Sequence, residues 1–282
     1  MNQYLNKLKT FLFQDNPVSR EISKQAVAVC RIHRINAQTT FNVQRVLNKA
    51  AKHKNAAVAL VISADSSSYA QAYNIIKQIQ IFQKNTKIPV YTFGEEQVFS
   101  GGYLILCAGQ KSFVDNTSLV GNLGVNYTHT NIEKLVTKTL DFTINDFHTS
   151  DIAFSHRADS LSKQKEDNEE FFRQFNSHLQ DQVIQTFEGL RKPKVKMQPE
   201  LYQNDLLQGE IYNGKKAVEY GLVDEIGTYY SVINKEFPNC KIVDLTRAST
   251  KDIFGNMLEL FWLNIKTLPF SVLVRYINKN QQ

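Results

Sequence analysis

A serine followed by two glycines, in Ser100-Gly101-Gly102-Tyr103, is the stretch of this sequence best suited to carry chemistry. Apolar residues after it predict a helix over 100–108 that is entered through a tight turn. Glycines allow other backbone to approach closely, and the first turn of a helix has free N–H groups with a positive partial charge. A negatively charged oxygen beside Ser100 would therefore be stabilised. The alternative is that Ser100 is the N-cap of a buried helix.

The other reactive residue types indicate neither a metal site nor a cofactor site. The six histidines lack metal-ligand spacing, and no phosphate-binding loop or dinucleotide motif is present. Cys30, Cys107 and Cys240 are spaced too widely for a metal site or a disulfide framework. The sequence therefore predicts no bound metal and no cofactor. The unpaired cysteines favour an intracellular reducing compartment, either the cytoplasm or an organelle matrix.

The elements that must position Ser100 alternate between strands and helices. Continuous apolar runs predict buried strands at 26–32, 56–62 and 88–93. Apolar residues at helical spacing predict a helix that opens at Thr39 or Thr40, and another over 69–82. This order implies right-handed crossovers and a mainly parallel sheet. Later in the chain we expect strands at 112–115, 142–146 and 241–245, and helices at 131–139, 166–187 and 215–220.

Length and composition fit a globular α/β protein and exclude other classes. The chain has 282 residues, of which 42% are hydrophobic and 21% charged, so a fibrous or wholly disordered chain is excluded. The net charge is +6, but the basic residues are spread along the chain apart from a cluster at 191–196. A nucleic-acid partner is therefore not expected. Neither a secretory signal nor a transmembrane helix is predicted.

The chain divides into three predicted parts. Residues 1–25 form an N-terminal helix or arm, residues 26–246 the main domain, and residues 247–282 an apolar C-terminal extension that is expected to be helical. The apolar stretch 253–277 is interrupted by Glu259, Lys266 and Pro269 and is too broken to span a membrane. We expect it to pack on a neighbouring subunit of a homo- or hetero-oligomer. Peripheral contact with a membrane surface is the alternative.

Four segments, in order along the chain, resemble the signal peptide peptidase family of serine peptidases, the SppA/SohB type. They read FSGGYLILCAG, KSFVDNTSLVGNLGV, NIEKL and GEIYNGKKAVEYGLVDEIG. The resemblance spans about residues 26 to 230. It implies the Clp/crotonase-like fold, a ββα spiral that assembles into rings. It also implies a serine endopeptidase that cleaves a peptide or protein substrate, with Ser100 as the nucleophile.

Two departures from the family pattern bear on activity. The family uses a lysine as general base in a Ser–Lys dyad, but the corresponding position falls between Ala153 and His156, where no lysine occurs. His156 could replace it, because the unperturbed pKa of histidine, about 6.5, suits neutral pH. A surface histidine on a variable loop is the alternative.

The second departure concerns the oxyanion hole. The family has a Gly-Gly turn after the second strand, whose backbone N–H contributes to that hole, and Ser66 and Ser67 replace these glycines. With Gly101 and Gly102 they form the predicted oxyanion site. A serine side chain at this turn could shift the N–H group or obstruct the substrate. A non-catalytic relative that acts as a scaffold or regulatory subunit is therefore the main alternative, and an acyl-thioester enzyme of the same fold is a third.

Overall fold

The computed structural model describes residues 26–65, 67–126, 130–143, 145, 147 and 166–246. The predicted N-terminal helix, the C-terminal extension, Ser66 and His156 lie outside these residues. The strands described are β1 (Ala26–Ile32), β2 (Ala57–Ala64), β3 (Val90–Phe99), β4 (Lys111–Val114), β5 (Leu119–Gly121), β6 (Ile211–Asn213), β7 (Glu225–Ile226) and β8 (Lys241–Asp244). The α-helices are α1 (Ala37–His53), α2 (Tyr69–Thr86), α3 (Gly101–Cys107), α4 (Glu166–Arg191), α5 (Pro199–Asn204), α6 (Gly214–Glu219) and α7 (Tyr229–Glu236).

The strands form one sheet that is parallel in all but one of its pairings. Along its main path the strand order is β6-β5-β3-β2-β1-β8, and only β5 and β6 pair antiparallel. Helices α1 and α2 connect β1 to β2 and β2 to β3, as parallel neighbours require. The predicted α/β fold with a mainly parallel sheet is confirmed.

Strand β3 is the point at which the sheet divides. Its first half, from Tyr91 to Gly94, pairs with β4, whereas its last residues, from Gln97 to Phe99, pair with β5. The register against β2 shifts between Ile62 and Ala64, and Glu96 has a positive φ of 54°. This irregularity lets one strand serve two successive neighbours on the same side. The part of β3 that pairs with β5 ends at Phe99, directly before Ser100.

Side chains of β1 contact two separate apolar clusters, one on each face of the sheet. Ala28, Cys30 and Ile32 join the large core with the buried faces of α1, α2 and α3. Val27 and Val29 join the smaller core, where Phe93 and Phe113 stack with ring centroids 5.1 Å apart. A strand that is buried on both faces reads as a continuous apolar run, which is why 26–32 was predictable.

Several sequence-based predictions about elements differ from the structure in their bounds or type. The strand predicted at 88–93 is β3 (Val90–Phe99), and the helix predicted at 69–82 is α2 (Tyr69–Thr86). Helix α1 is capped by Asn36, whose side chain accepts from the Thr39 N–H, so the helix begins before Thr39 or Thr40. The helix predicted at 131–139 includes a π-helical turn, Leu135–Thr139. The described residues of the strand predicted at 142–146 lie outside any strand, with Phe142 exposed.

Candidate active site

Ser100 lies at the junction of β3 and α3 in a backbone conformation that serine rarely adopts. Its φ is 49° and its ψ is −117°. Two backbone hydrogen bonds hold it there, because its N–H donates to the Gly121 carbonyl and its own carbonyl accepts from the Leu104 N–H, both at 3.0 Å. Strain of this kind persists only where surrounding contacts enforce it, and it is frequent at active sites.

The Ser100 hydroxyl takes no part in capping α3. Its side chain makes no cap hydrogen bond, and no partner for it is found among the described residues. The residue is half-buried, whereas Gly101 and Gly102 after it are buried. Ser100 is thus the N-cap residue of the buried helix α3 by position, but its side chain does not make the capping hydrogen bond.

Ser67, which follows β2, provides the cap that Ser100 does not. The Gly101 N–H donates to Ser67 Oγ at 3.0 Å. The approach is so close that a Cβ on Gly101 would lie 2.5 Å from Ser67 Oγ and 2.8 Å from the Ala72 Cβ. Only glycine fits at position 101 without displacing its neighbours. The second glycine, Gly102, lies against the Ala64 carbonyl, 3.2 Å from where its Cβ would be.

The segment that contains Gly121 brings a third stretch of sequence to Ser100. Gly121 has a φ of 115°, and a Cβ there would lie 2.5 Å from the Glu210 carbonyl oxygen. The next residue, Asn122, also has a positive φ, and its N–H donates to the same carbonyl at 3.0 Å. Segments about a hundred residues apart in sequence thus meet directly beside Ser100.

Tyr103 anchors helix α3 to the backbone of Leu222. This side chain is fully buried, and its hydroxyl donates to the Leu222 carbonyl at 3.0 Å. Burial raises the pKa of Cys107, one turn further along α3, to about 12, and it raises the pKa of Cys30 to the same value. Both thiols are neutral at physiological pH and are poor nucleophiles.

An ion pair between buried Arg191 and half-buried Asp224 holds the segment that Tyr103 contacts. Arg191, whose side chain is 3% exposed, donates to the Gly221 carbonyl at 2.8 Å and to Asp224 at 2.9 Å. Asp224 also accepts from both the N–H and the hydroxyl of Ser112, each at 2.9 Å. The network joins the end of α4, strand β4 and residues 221–224 into one unit beneath α3.

Of the six predicted site residues, the structure brings four together. Ser100, Gly101, Gly102 and Ser67 meet where β2 and β3 end, while Ser66 and His156 lie outside the described residues. The resemblance assigned a backbone role to Ser67, and its side-chain contact with Gly101 was not predicted. The one signal for that contact was the hydroxyl itself, at a position where the family has glycine.

Metal sites and membrane spans were searched for within the residues that the structure describes. In these ranges no group of three or more His, Cys, Asp and Glu side chains could hold a metal ion. None of the helices described there is long and apolar enough to cross a membrane.

Comparison with known proteins places the chain among peptidases. A signal peptide peptidase SppA assigned in Enterococcus faecium is 26% identical over 199 residues, which are 69% of this chain and 54% of that protein. Protease 4 of Haemophilus influenzae is 25% identical over 197 residues, which are 68% of this chain and 30% of that protein. The chain thus spans about half the length, or less, of these curated relatives.

A solved structure shares the fold. A mutant of the 1510-N membrane-bound stomatin-specific protease superposes with a TM-score of 0.55 at 12% identity, covering 80% of this chain and all of that one. The model of peptidase family S49 matches residues 82–238, more than half of the chain, and this range includes Ser100 and all four family-like segments. The chain belongs to peptidase family S49, the family of SppA-type serine peptidases.

Proposed function

We propose that this chain is a serine endopeptidase that cleaves peptide bonds through an acyl-enzyme at Ser100. The observation that carries the proposal is the enforced positive φ of Ser100, which presents a hydroxyl that caps nothing at the end of β3. A sharp, strained strand-to-helix turn of this kind also exposes the nucleophile of other serine hydrolases. Membership of a peptidase family supports a peptide as the substrate.

The proposed reaction needs three groups around the scissile bond. The Ser100 oxygen attacks the carbonyl carbon while its proton passes to a base, and the carbonyl oxygen becomes negatively charged. The Gly101 N–H, together with backbone N–H groups of Gly102 and of the Ser66–Ser67 turn, would donate to that oxygen. Collapse of the intermediate releases the amine, which takes a proton from the base. Water then hydrolyses the ester at Ser100.

We propose His156 as the base, because it occurs near the position where the family has its lysine. A neutral imidazole can accept the Ser100 proton at neutral pH. The variant His156→Ala should lose peptide hydrolysis, yet its Ser100 should still react with an acylating probe at high pH, where hydroxide removes the proton. Unchanged turnover in this variant would show that His156 is not the base.

The substrate proposed is a peptide or a protein, as the names of the relatives indicate. Hydrolysis of a mixed fluorogenic peptide set is the direct test of activity. The protein should cleave some of these peptides, and Ser100→Ala should abolish cleavage. Ser68→Ala is the matched control, because the exposed Ser68 side chain makes no cap hydrogen bond. Equal cleavage by the wild type and Ser100→Ala would refute the proposal.

A non-catalytic scaffold is the second candidate, and one observation favours it. The Gly101 N–H, which a peptidase needs for the oxyanion, already has Ser67 Oγ as its acceptor. A scaffold would cleave no peptide and would not react with serine-directed probes, yet it would still elute as a large assembly. An active peptidase would react at Ser100.

We also propose that the chain assembles into a homo- or hetero-oligomer through residues 253–277, with contact to a membrane surface as the alternative. Exposed apolar side chains on the described part of the chain support association. These are Ile132, Leu135, Leu140, Phe142, Phe147, Phe171 and Phe175. Contiguous exposed apolar patches are typical of interaction surfaces, and the Phe171 and Phe175 rings stack with centroids 6.4 Å apart.

A further inference from the structure

We infer that the Ser67 hydroxyl occupies the oxyanion site of the resting protein and slows acylation of Ser100 until it rotates away. The inference rests on the proposed function, and it adds a role for one side chain that the family pattern lacks. In this role Ser67 acts through the Gly101 N–H, so it is a positioning residue.

Distance places the Ser67 oxygen where a substrate oxygen would bind. An oxyanion lies about 2.7–3.1 Å from each N–H donor that stabilises it. Ser67 Oγ lies 3.0 Å from the Gly101 nitrogen and accepts its hydrogen. Gly101 directly follows Ser100, and the residue after a serine nucleophile is the one whose N–H commonly donates to the oxyanion. A substrate carbonyl can use this donor fully only after Ser67 Oγ has left it.

The backbone of Ser67 is fixed, so only its side chain needs to move. Ser67 forms a parallel bridge with Ile35, and the neighbouring Ser68 N–H donates to the Ile35 carbonyl at 3.2 Å. Ser67 is partly exposed, which gives the hydroxyl room to turn toward solvent. A serine χ1 rotation between staggered positions is fast and local.

The size of the effect on the acylation rate follows from one hydrogen bond. The bond from the Gly101 N–H to Ser67 Oγ must break before a substrate oxygen can use that N–H. One neutral hydrogen bond in a protein changes an equilibrium by a factor of about 2 to 10. Removal of the Ser67 hydroxyl should therefore raise the rate of acylation by about 2- to 10-fold. A merely structural role for Ser67 would produce the opposite effect, because a lost contact would loosen the site.

The test is the second-order rate of reaction of Ser100 with a fluorophosphonate probe. In this reaction a bond forms between the Ser100 oxygen and phosphorus, fluoride leaves, and the serine proton passes to the base or solvent. Ser67→Ala should react about 2- to 10-fold faster than the wild type. Ser68→Ala should react at the wild-type rate, because its hydroxyl makes no cap hydrogen bond. Ser100→Ala should not react.

An equal or slower rate for Ser67→Ala would overturn the inference while leaving the proposed function intact. A slower rate would mean that the Ser67 hydroxyl donates to the oxyanion. If no variant reacts at Ser100, the proposed function fails, and the rate effect fails with it.

Amide hydrogen exchange in the segment that contains Gly101 tests the contact without any catalysis. Exchange should be about 2- to 10-fold faster in Ser67→Ala and unchanged in Ser68→Ala. Unchanged exchange in Ser67→Ala would show that Ser67 does not hold the Gly101 N–H, and it would overturn the inference on its own.

Discussion

Asp224→Asn is the substitution that most severely tests how the site is supported. Asp224 accepts hydrogen bonds from Arg191, Lys194 and Ser112, and the Arg191 side chain is only 3% exposed. The side-chain amide of asparagine carries no charge. Its N–H groups cannot accept the hydrogen bonds that Arg191, Lys194 and Ser112 donate to the Asp224 carboxylate. Arg191 would keep its bond to the Gly221 carbonyl but would lose its counter-ion within the core.

The expected cost follows from this burial. Removal of one partner from a fully buried ion pair costs about 3–5 kcal/mol, because the remaining charge is left uncompensated. The Asp224 side chain is 18% exposed, so a loss of about 2–4 kcal/mol is expected here. Glu225→Gln is the matched control on the next residue. Its partner is Lys111 at 3.3 Å, and the two side chains are 40% and 55% exposed. An exposed pair contributes about 0–1 kcal/mol.

Urea unfolding followed by circular dichroism measures both variants. Asp224→Asn should lower the unfolding midpoint strongly at constant slope, whereas Glu225→Gln should leave it nearly unchanged. Equal and small losses in the two variants would refute the claim that the pair of Asp224 with buried Arg191 holds residues 221–224.

The same pair predicts how stability depends on pH. Burial alone would raise the pKa of Asp224, but hydrogen bonds from Lys194 and Arg191 outweigh it and hold the pKa well below 3.8. The folded protein therefore binds this proton less readily than the unfolded chain. The stabilisation from Asp224 is fully present above pH 3.8 and is lost as the pH falls below that value. Asp224→Asn should remove this part of the acid sensitivity.

Three further predictions concern packing and assembly. Tyr103→Phe removes a buried hydroxyl that donates to the Leu222 carbonyl. The free energy of unfolding from urea titrations should fall by about 1–3 kcal/mol. No loss would contradict the anchoring role of Tyr103. Gly214→Ala should lower the thermal midpoint, because its Cβ would lie 1.9 Å from the Asp115 carbonyl oxygen. Gly189→Ala in α4 is the control, because no atom lies within 4 Å of its Cβ position. It should raise the free energy of unfolding by up to about 1 kcal/mol. Deletion of residues 253–282 should release smaller species in size-exclusion chromatography, and an unchanged elution volume would count against assembly through this tail.

Much of the fold could be predicted because the buried strands carry their own signal. Apart from Arg31 the run 26–32 is apolar on both faces of the sheet, and the strand observed is Ala26–Ile32. Helix α2 begins at Tyr69, as the apolar spacing indicated, although it continues to Thr86. In both elements the pattern of apolar residues within the segment itself is enough to predict the element.

Elements defined by distant partners could not be predicted in this way. The second half of β3 contains two glutamates, and it is a strand because Gln97–Phe99 pair with β5. Strand β7 has only two residues and depends on β4. Helix α4 continues past Gly189 to Arg191, whose side chain is held by Gly221 and Asp224. Such tertiary contacts override local preference.

The candidate site shows the same division between local and tertiary information. The position of Ser100 at the start of a helix followed from its glycines and the apolar run behind them. Its strained φ depends on Gly121, and the cap on Gly101 comes from Ser67, more than thirty residues earlier in the chain. The short pattern Ser100-Gly101-Gly102-Tyr103 contains neither Gly121 nor Ser67, so it could not predict these contacts.

The most direct test of the account is peptide mapping of the protein after reaction with a fluorophosphonate probe. The account predicts a single modified residue per chain, located at Ser100, and no modification in Ser100→Ala. Modification at another serine, or none at any pH in both the wild type and Ser67→Ala, would contradict the claim that Ser100 is a nucleophile.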